Sequence, residues 1–187
     1  MNRTDKEYID CIRVLNEELL PAFGCTEPIA VAYAAALARE TLGGIPERVV
    51  ITCSGNIFKN VKSVIVPNSG NMKGLPVAAA AGIIAGRAEK KLEVLSSVTE
   101  DERAKIKEYI DYTEFSVRLS ESSLLFDIVV EEIKGEDSAV VRIAHFHTNV
   151  VLIKRNDTVI KSIDIDAVES NDYFDRSFLT TELHNYP

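Results

Sequence analysis

Residues 21–38 constrain this chain more than any other stretch, because they specify a turn, a thiol and a helix in immediate succession. The run Pro21-Ala22-Phe23-Gly24-Cys25-Thr26-Glu27-Pro28 leads directly into Ile29-Ala30-Val31-Ala32-Tyr33-Ala34-Ala35-Ala36-Leu37-Ala38. Gly24 supplies the turn, and Pro28 is best tolerated in a first helical turn, where its missing N–H costs nothing. The alanine-rich run that follows is strongly helix-forming and stops at Gly43-Gly44, so a helix is expected from Pro28 to Leu42. Cys25 then lies just ahead of a helix N-terminus, where unpaired N–H groups and the macrodipole favour an anion. Such a position lowers a thiol pKa and suits a nucleophile, a base or a metal ligand. A small buried hydrophobe at the helix entry is the competing reading.

The remaining pattern predicts an α+β protein: alanine-rich helices with short strands, then a helix packed on an antiparallel β-meander. Thr4-Asp5-Lys6-Glu7 reads as a capping box ahead of Tyr8, Ile12, Leu15 and Leu19 at helical spacing, giving a first helix over 5–20. Val49 to Cys53 is β-branched and reads as a strand opening into a Ser54-Gly55-Asn56 loop, with a second short strand over Val61 to Val66. Residues 67–74 form a loop, and Pro76 begins an alanine-rich helix through Lys90. Composition shifts near residue 98. A charged amphipathic helix spans Thr99 to Asp111, and strands follow at Phe115–Leu119, Leu125–Ile133, Ala139–Phe146, Val150–Lys154 and Val159–Ile165. Turn residues Gly135-Glu136-Asp137 and Asn156-Asp157 separate them. The expected organisation is an α-rich lobe over 1–98 holding Cys25 and the anion-binding loops, an α/β-meander lobe over 99–170, and a loose tail over 171–187.

Charge narrows the partners. With 29 acidic and 21 basic residues the formal net charge is −8, which repels nucleic acid and anionic membranes at long range. The longest apolar-rich run, Leu75 to Ala85, is too short to span a bilayer. The N-terminus shows no apolar signal-peptide core, and the 3 cysteines have no paired spacing, so a cytoplasmic location is expected. A small molecule is the expected ligand.

Two loops echo each other: Ser54-Gly55-Asn56 followed by Lys59, and Ser69-Gly70-Asn71 followed by Lys73. Each can present backbone N–H groups, an amide and a lysine to a carboxylate or phosphate. Tight turns need the same residue types, and the P-loop spacing is absent. His145 and His147 alternate, so a strand would point both to one face. No local acidic or cysteine partner completes a metal set there, and His147, beside Thr148 and Asn149, suits an acid–base role. Cys11 reads as core of the first helix and Cys53 as a buried strand end.

Taken in order, the Gly24-Cys25-Thr26-Glu27-Pro28 block, Ser54-Gly55-Asn56 with Lys59-Asn60, the 67–74 loop and His147-Thr148-Asn149 resemble the N-terminal half of the L-cysteine desulfidase family, which is related to iron–sulfur L-serine dehydratase alpha chains. The resemblance covers residues 5–165. It implies a 4Fe–4S-dependent lyase that eliminates sulfide or water from L-cysteine or L-serine, giving pyruvate and ammonia. It further implies Cys25 as active-site cysteine, base or cluster ligand, and His147 as a second catalytic group. Ser54, Asn56, Lys59, Ser69, Asn71 and Lys73 would hold the substrate. The remaining cluster cysteines of that family lie in a C-terminal half, and Cys11 and Cys53 do not replace them. The implied partner is therefore that half or a subunit carrying it, with a small amino acid as substrate and a homo-oligomer admitted. The alternatives from other classes are a non-catalytic amino-acid-binding or regulatory module and a structural partner of a catalytic subunit.

Overall fold

A computed structural model of the chain describes residues 3–165 and has an α+β architecture. Contacts divide it into a unit over Ala22–Ile163 and a second unit that includes the first helix. The tail expected over 171–187 lies outside the described residues.

In the second unit, α1 spans Lys6–Glu18. Its N-cap is Asp5, one residue later than the Thr4 box predicted, and no side-chain capping bond forms there. Lys6 Nζ instead pairs with Asp10 at 2.6 Å, one turn on. Cys11 is half-buried.

The larger unit begins with α2, Thr26–Leu42, whose C-cap Gly43 sits at φ 82°, the left-handed conformation that glycine tolerates. Apolar residues surround this helix rather than striping it, and such a helix belongs inside a core. Positions Pro28 to Ala36 are all buried. It packs on the sheet through β3 (Asp127–Lys134) and β4 (Asp137–Ala144), and against α4, Leu75–Ala85. Small residues let α2 and α4 approach very closely. A Cβ placed on Gly82 would run into the Ala32 carbonyl, and one on Gly86 would lie 2.8 Å from the Ala36 Cβ. Gly86 also ends α4, shortening the helix expected through Lys90; a kinked 3₁₀ segment, Ala88–Glu93, follows.

The six strands form one sheet in the order β2-β1-β3-β4-β5-β6, with β1 Arg48–Cys53, β2 Glu114–Leu119, β5 Val150–Arg155 and β6 Thr158–Ser162. Strands β3 to β6 make the antiparallel meander read from the alternation. β1 enters between β2 and β3, parallel to the first and antiparallel to the second. The lobe boundary read near residue 98 therefore falls inside a single sheet and a single compact unit. The helix α5, Glu100–Tyr112, packs against α4 and is opened by a full capping box in which Thr99 and Glu102 satisfy each other's backbone N–H.

Two local readings change. The Ser54-Gly55-Asn56 segment is not a loop: Ser54 is the N-cap of a short helix α3, Gly55–Val61, and its Oγ accepts the Ile57 N–H at 3.4 Å. The strand expected over Val61 to Val66 is absent, and one isolated bridge, Ile65 to Lys73, remains. β-branched residues form a strand only where a neighbouring ladder receives them, and the N-cap serine won locally. Likewise β4 stops at Ala144, because His145 turns into the left-handed region at φ 67°.

The α2–α4 contact yields a direct test. Gly82→Ala adds one methyl where backbone already meets backbone, and overpacking of this kind costs about 1–3 kcal/mol. Urea unfolding should show a lower midpoint with an unchanged slope, whereas Gly55→Ala, at a position with no atom within 4 Å of the added Cβ, should not.

Candidate active site at the N-terminus of α2

Cys25 is the N-cap of α2 and its thiol is exposed. The turn before it depends on Gly24, at φ 95°, where a Cβ would strike the ring of Pro67 at 2.5 Å. That contact brings the start of the 67–74 loop against the Cys25 turn. Phe23 N–H donates to the Leu92 carbonyl and ties the entry to the 3₁₀ segment.

Glu27, in the first turn of the helix, is the centre of the site. Its carboxylate accepts from the Cys25 Sγ at 3.3 Å, the Thr26 Oγ1 at 3.3 Å and the Asn60 Nδ2 at 3.3 Å. Burial pushes this carboxyl up. Its own backbone N–H, the bonds from Cys25 and Asn60, and the charge of His147 outweigh that and hold it below the ordinary carboxylate range. Asn60 arrives on the last turn of α3 and His147 on the turn between β4 and β5.

The thiol behaves differently from the sequence expectation. A helix N-terminus should lower its pKa, but burial, the bond to Glu27 and the Glu27 charge all raise it, and the Glu27 N–H opposes them only in part. Cys25 is therefore held as a protonated thiol. Burial first, and then a carboxylate in direct contact, outweigh the helix end.

His147 is half-buried, and burial pushes its pKa down while Glu27 pulls it up, leaving it lower than usual. Its Nε2 is buried without a hydrogen-bond partner, while Nδ1 is not closed off in this way. The ring lies on Phe126 with centroids 4.5 Å apart. His145 and His147 do not share a strand face as predicted, since both belong to the 145–149 turn. This turn is tied down by His145 N–H to the Phe126 carbonyl and by Asn149 Nδ2 to the Ala144 carbonyl.

Other predicted residues fall elsewhere. The Ser54 hydroxyl donates to the Leu125 carbonyl at 2.8 Å, which fixes the backbone beside Phe126. Ser69 is buried and its hydroxyl donates to the Val66 and Met72 carbonyls, so it braces its own loop. Asn56, Lys59, Asn71 and Lys73 are exposed, and among the described residues no hydrogen bond or ion pair joins them to the cluster. Asn71 stands at φ 68°. Glu27, Asn60 and Phe126 were not singled out as site residues. Only Glu27 had a readable signal, as an acid in the first helical turn two residues from the thiol.

Among the described residues no group of three His, Cys, Asp or Glu side chains can hold a metal ion. Cys53 is buried with its thiol pushed up to about 11, by burial and by Asp127.

Comparison with known proteins gives this arrangement its relatives. The chain is similar to proteins named UPF0597. One from Desulfitobacterium hafniense is 47% identical over 168 residues, covering 89% of this chain and 39% of that protein. A Treponema denticola protein is 46% identical over 149 residues, covering 80% and 35%. A Fusobacterium nucleatum protein is 41% identical over 151 residues, covering 81% and 35%. The chain thus spans less than two-fifths of the length of these UPF0597 relatives. No family model matches the chain, and no solved structure does. These relatives correct the assignment to the L-cysteine desulfidase and L-serine dehydratase group, because they carry the UPF0597 name at substantial identity over most of the chain. The motifs behind that assignment are short, and each describes local geometry: a helix-entry thiol, an N-cap serine and a hairpin turn.

Glu27 as the centre of the site predicts a coupled shift. Glu27→Gln removes the charge that disfavours the thiolate and favours the imidazolium, so both Cys25 and His147 should titrate at lower pH than in the wild type. The pH dependence of Cys25 alkylation and the ring-proton shifts of His147 measure this. An unmoved Cys25 profile would show that Glu27 does not control the thiol.

Proposed function

We propose that this chain supplies the acid–base centre of a lyase acting on a small β-substituted amino acid. One observation carries the reading: a protonated, accessible thiol is hydrogen-bonded to an ionised carboxylate that has a neutral imidazole within electrostatic reach. Two titratable groups whose surroundings hold them in opposite proton roles are what an elimination needs. His147 takes the α-proton of the substrate through its open nitrogen. The electron pair forms the α,β double bond as the bond to the β-substituent breaks. Cys25 donates a proton to the departing group, and Glu27 keeps that proton on sulfur until then. The enamine released tautomerises to an imine, which water converts to a 2-oxo acid and ammonia.

The exposed side chains of Lys59 and Lys73, with Asn56 and Asn71, supply positive charge and amide donors for the substrate carboxylate. Ser54 and Ser69 serve this indirectly, through the backbone they brace. The rest of the site belongs to the part of the longer relatives that this chain does not match. Among the described residues no helix is long and apolar enough to cross a membrane, and three free cysteines suit a reducing cytoplasm.

Nuclear magnetic resonance in deuterated water tests the assignment, on this chain and on the longer Desulfitobacterium hafniense protein. L-cysteine and L-serine should lose their α-proton and yield a 2-oxo acid. His147→Asn should slow exchange by about 10²–10⁴-fold. Cys25→Ala should keep exchange and lose elimination. Binding by calorimetry with no exchange in either protein would replace this reading with that of an amino-acid-binding module.

A further inference from the structure

The core of the larger unit holds a carboxylate that the candidate site does not use. Glu132 lies on β3, on the face that meets α2, and is 0% exposed. Neither Oε1 nor Oε2 has a hydrogen-bond partner. Arg39 Nε on α2 is likewise buried and unpartnered, and Thr113 Oγ1, at the C-cap of α5, is buried with only the Tyr109 hydroxyl beside it. The strand neighbours opposite Glu132 are Val49 on β1 and Ala139 on β4, neither of which offers a side-chain donor. Arg39 is within electrostatic reach of Glu132 but spends its Nη2 on the Gly86 carbonyl at 2.8 Å. Tyr109 is near as well, and its hydroxyl donates to the Pro46 carbonyl at 2.8 Å.

An ionised carboxylate in this setting would lack any hydrogen-bond donor, at a cost no native core sustains. Buried polar groups left without protein partners are satisfied by internal water, which needs two to four of them around it. We propose that Glu132, Arg39 and Thr113 enclose an internal water site between α2, α5 and the sheet, which Glu132 meets as a neutral carboxylic acid. The water accepts from Arg39 Nε–H and from the Glu132 acid proton, and donates to Thr113 Oγ1. Burial acts in the same direction, pushing the Glu132 carboxyl well above its ordinary range, with Arg39 opposing it.

The charged and titratable groups within electrostatic reach of Glu132 are Arg39 on α2 and Tyr109 on α5, while Lys134, two residues along the same face of β3, is exposed. The folded protein therefore holds a proton that the unfolded chain releases. The associated stability is fully present below the ordinary carboxyl value and declines as pH rises above it.

Carbon-13 labelling of the glutamate carboxyl groups tests this on the full chain. At pH 7 one resonance should stay at the protonated position, and Glu132→Gln should remove it. Thr113→Val leaves Glu132 in place and should shift the same resonance, which identifies it where the glutamine variant does not fold. A high-resolution crystal structure should show ordered water within hydrogen-bond reach of Glu132 and Thr113 Oγ1. Complete ionisation of every glutamate at pH 7, a dry site, or a direct Arg39–Glu132 ion pair would overturn the proposal.

Discussion

The close approach of α2 and α4 is the constraint from which the rest of the larger unit follows. Alanine, glycine and valine leave little volume between the helices, so Gly82 meets the Ala32 backbone and Gly86 meets Ala36. Close packing of this kind has few adjustable side chains and transmits displacement instead of absorbing it. α2 is held on its other side by β3 and β4, which leaves it one position along its length. Its N-terminus, with Cys25 and Glu27, is thereby fixed by contacts far along the helix. A pair of side chains on a packed helix is placed more precisely than one on a loop.

The second half of the site arrives by a different route. Ser54 caps α3 and at the same time grips the Leu125 carbonyl, so one hydroxyl fixes both the helix that carries Asn60 and the backbone beside Phe126. Phe126 supports the His147 ring, and its carbonyl receives the His145 N–H. Ser54 N–H in turn donates to the Asp127 carbonyl, extending the β1–β3 pairing by one bond. The serine read as a substrate contact thus works one layer behind the site.

Much of this was legible from sequence where local rules agree with one another. Glycine, cysteine and proline around a helix start all point the same way, and α2 begins within two residues of its expected position. The meander was legible because alternating apolar residues and Gly135 or Asn156 turns are local signals. The insertion of β1 between β2 and β3 was not, since pairing 66 positions on to β2 and 75–85 positions on to β3 leaves no local mark. The same reason hid Asn60 and the reversed shift of Cys25: both depend on Glu27 meeting residues from α3 and the β4–β5 turn. Val61 to Val66 failed for the opposite cause, a strong local strand pattern with no ladder to join.

Three acidic side chains show what decides their roles. Asp127 is 1% exposed and receives Arg142 Nε at 2.8 Å, Arg142 Nη2 at 3.0 Å and Ser120 Oγ at 2.8 Å, a bidentate clamp that makes it a structural anion. Glu27 is less buried and receives three weaker donors, each at 3.3 Å, two of them from side chains that can themselves move a proton or rotate. Glu132 is fully buried and receives none. Burial alone would rank Asp127 with Glu132, and charge alone would make all three equivalent. The supply of donors separates them: saturated, the carboxylate is a fixture of the fold; loosely supplied, it can exchange hydrogen bonds with a substrate; unsupplied, it must keep its own proton. Only the middle condition suits the acid–base role proposed for the site, and it occurs at the end of the helix whose position the core determines.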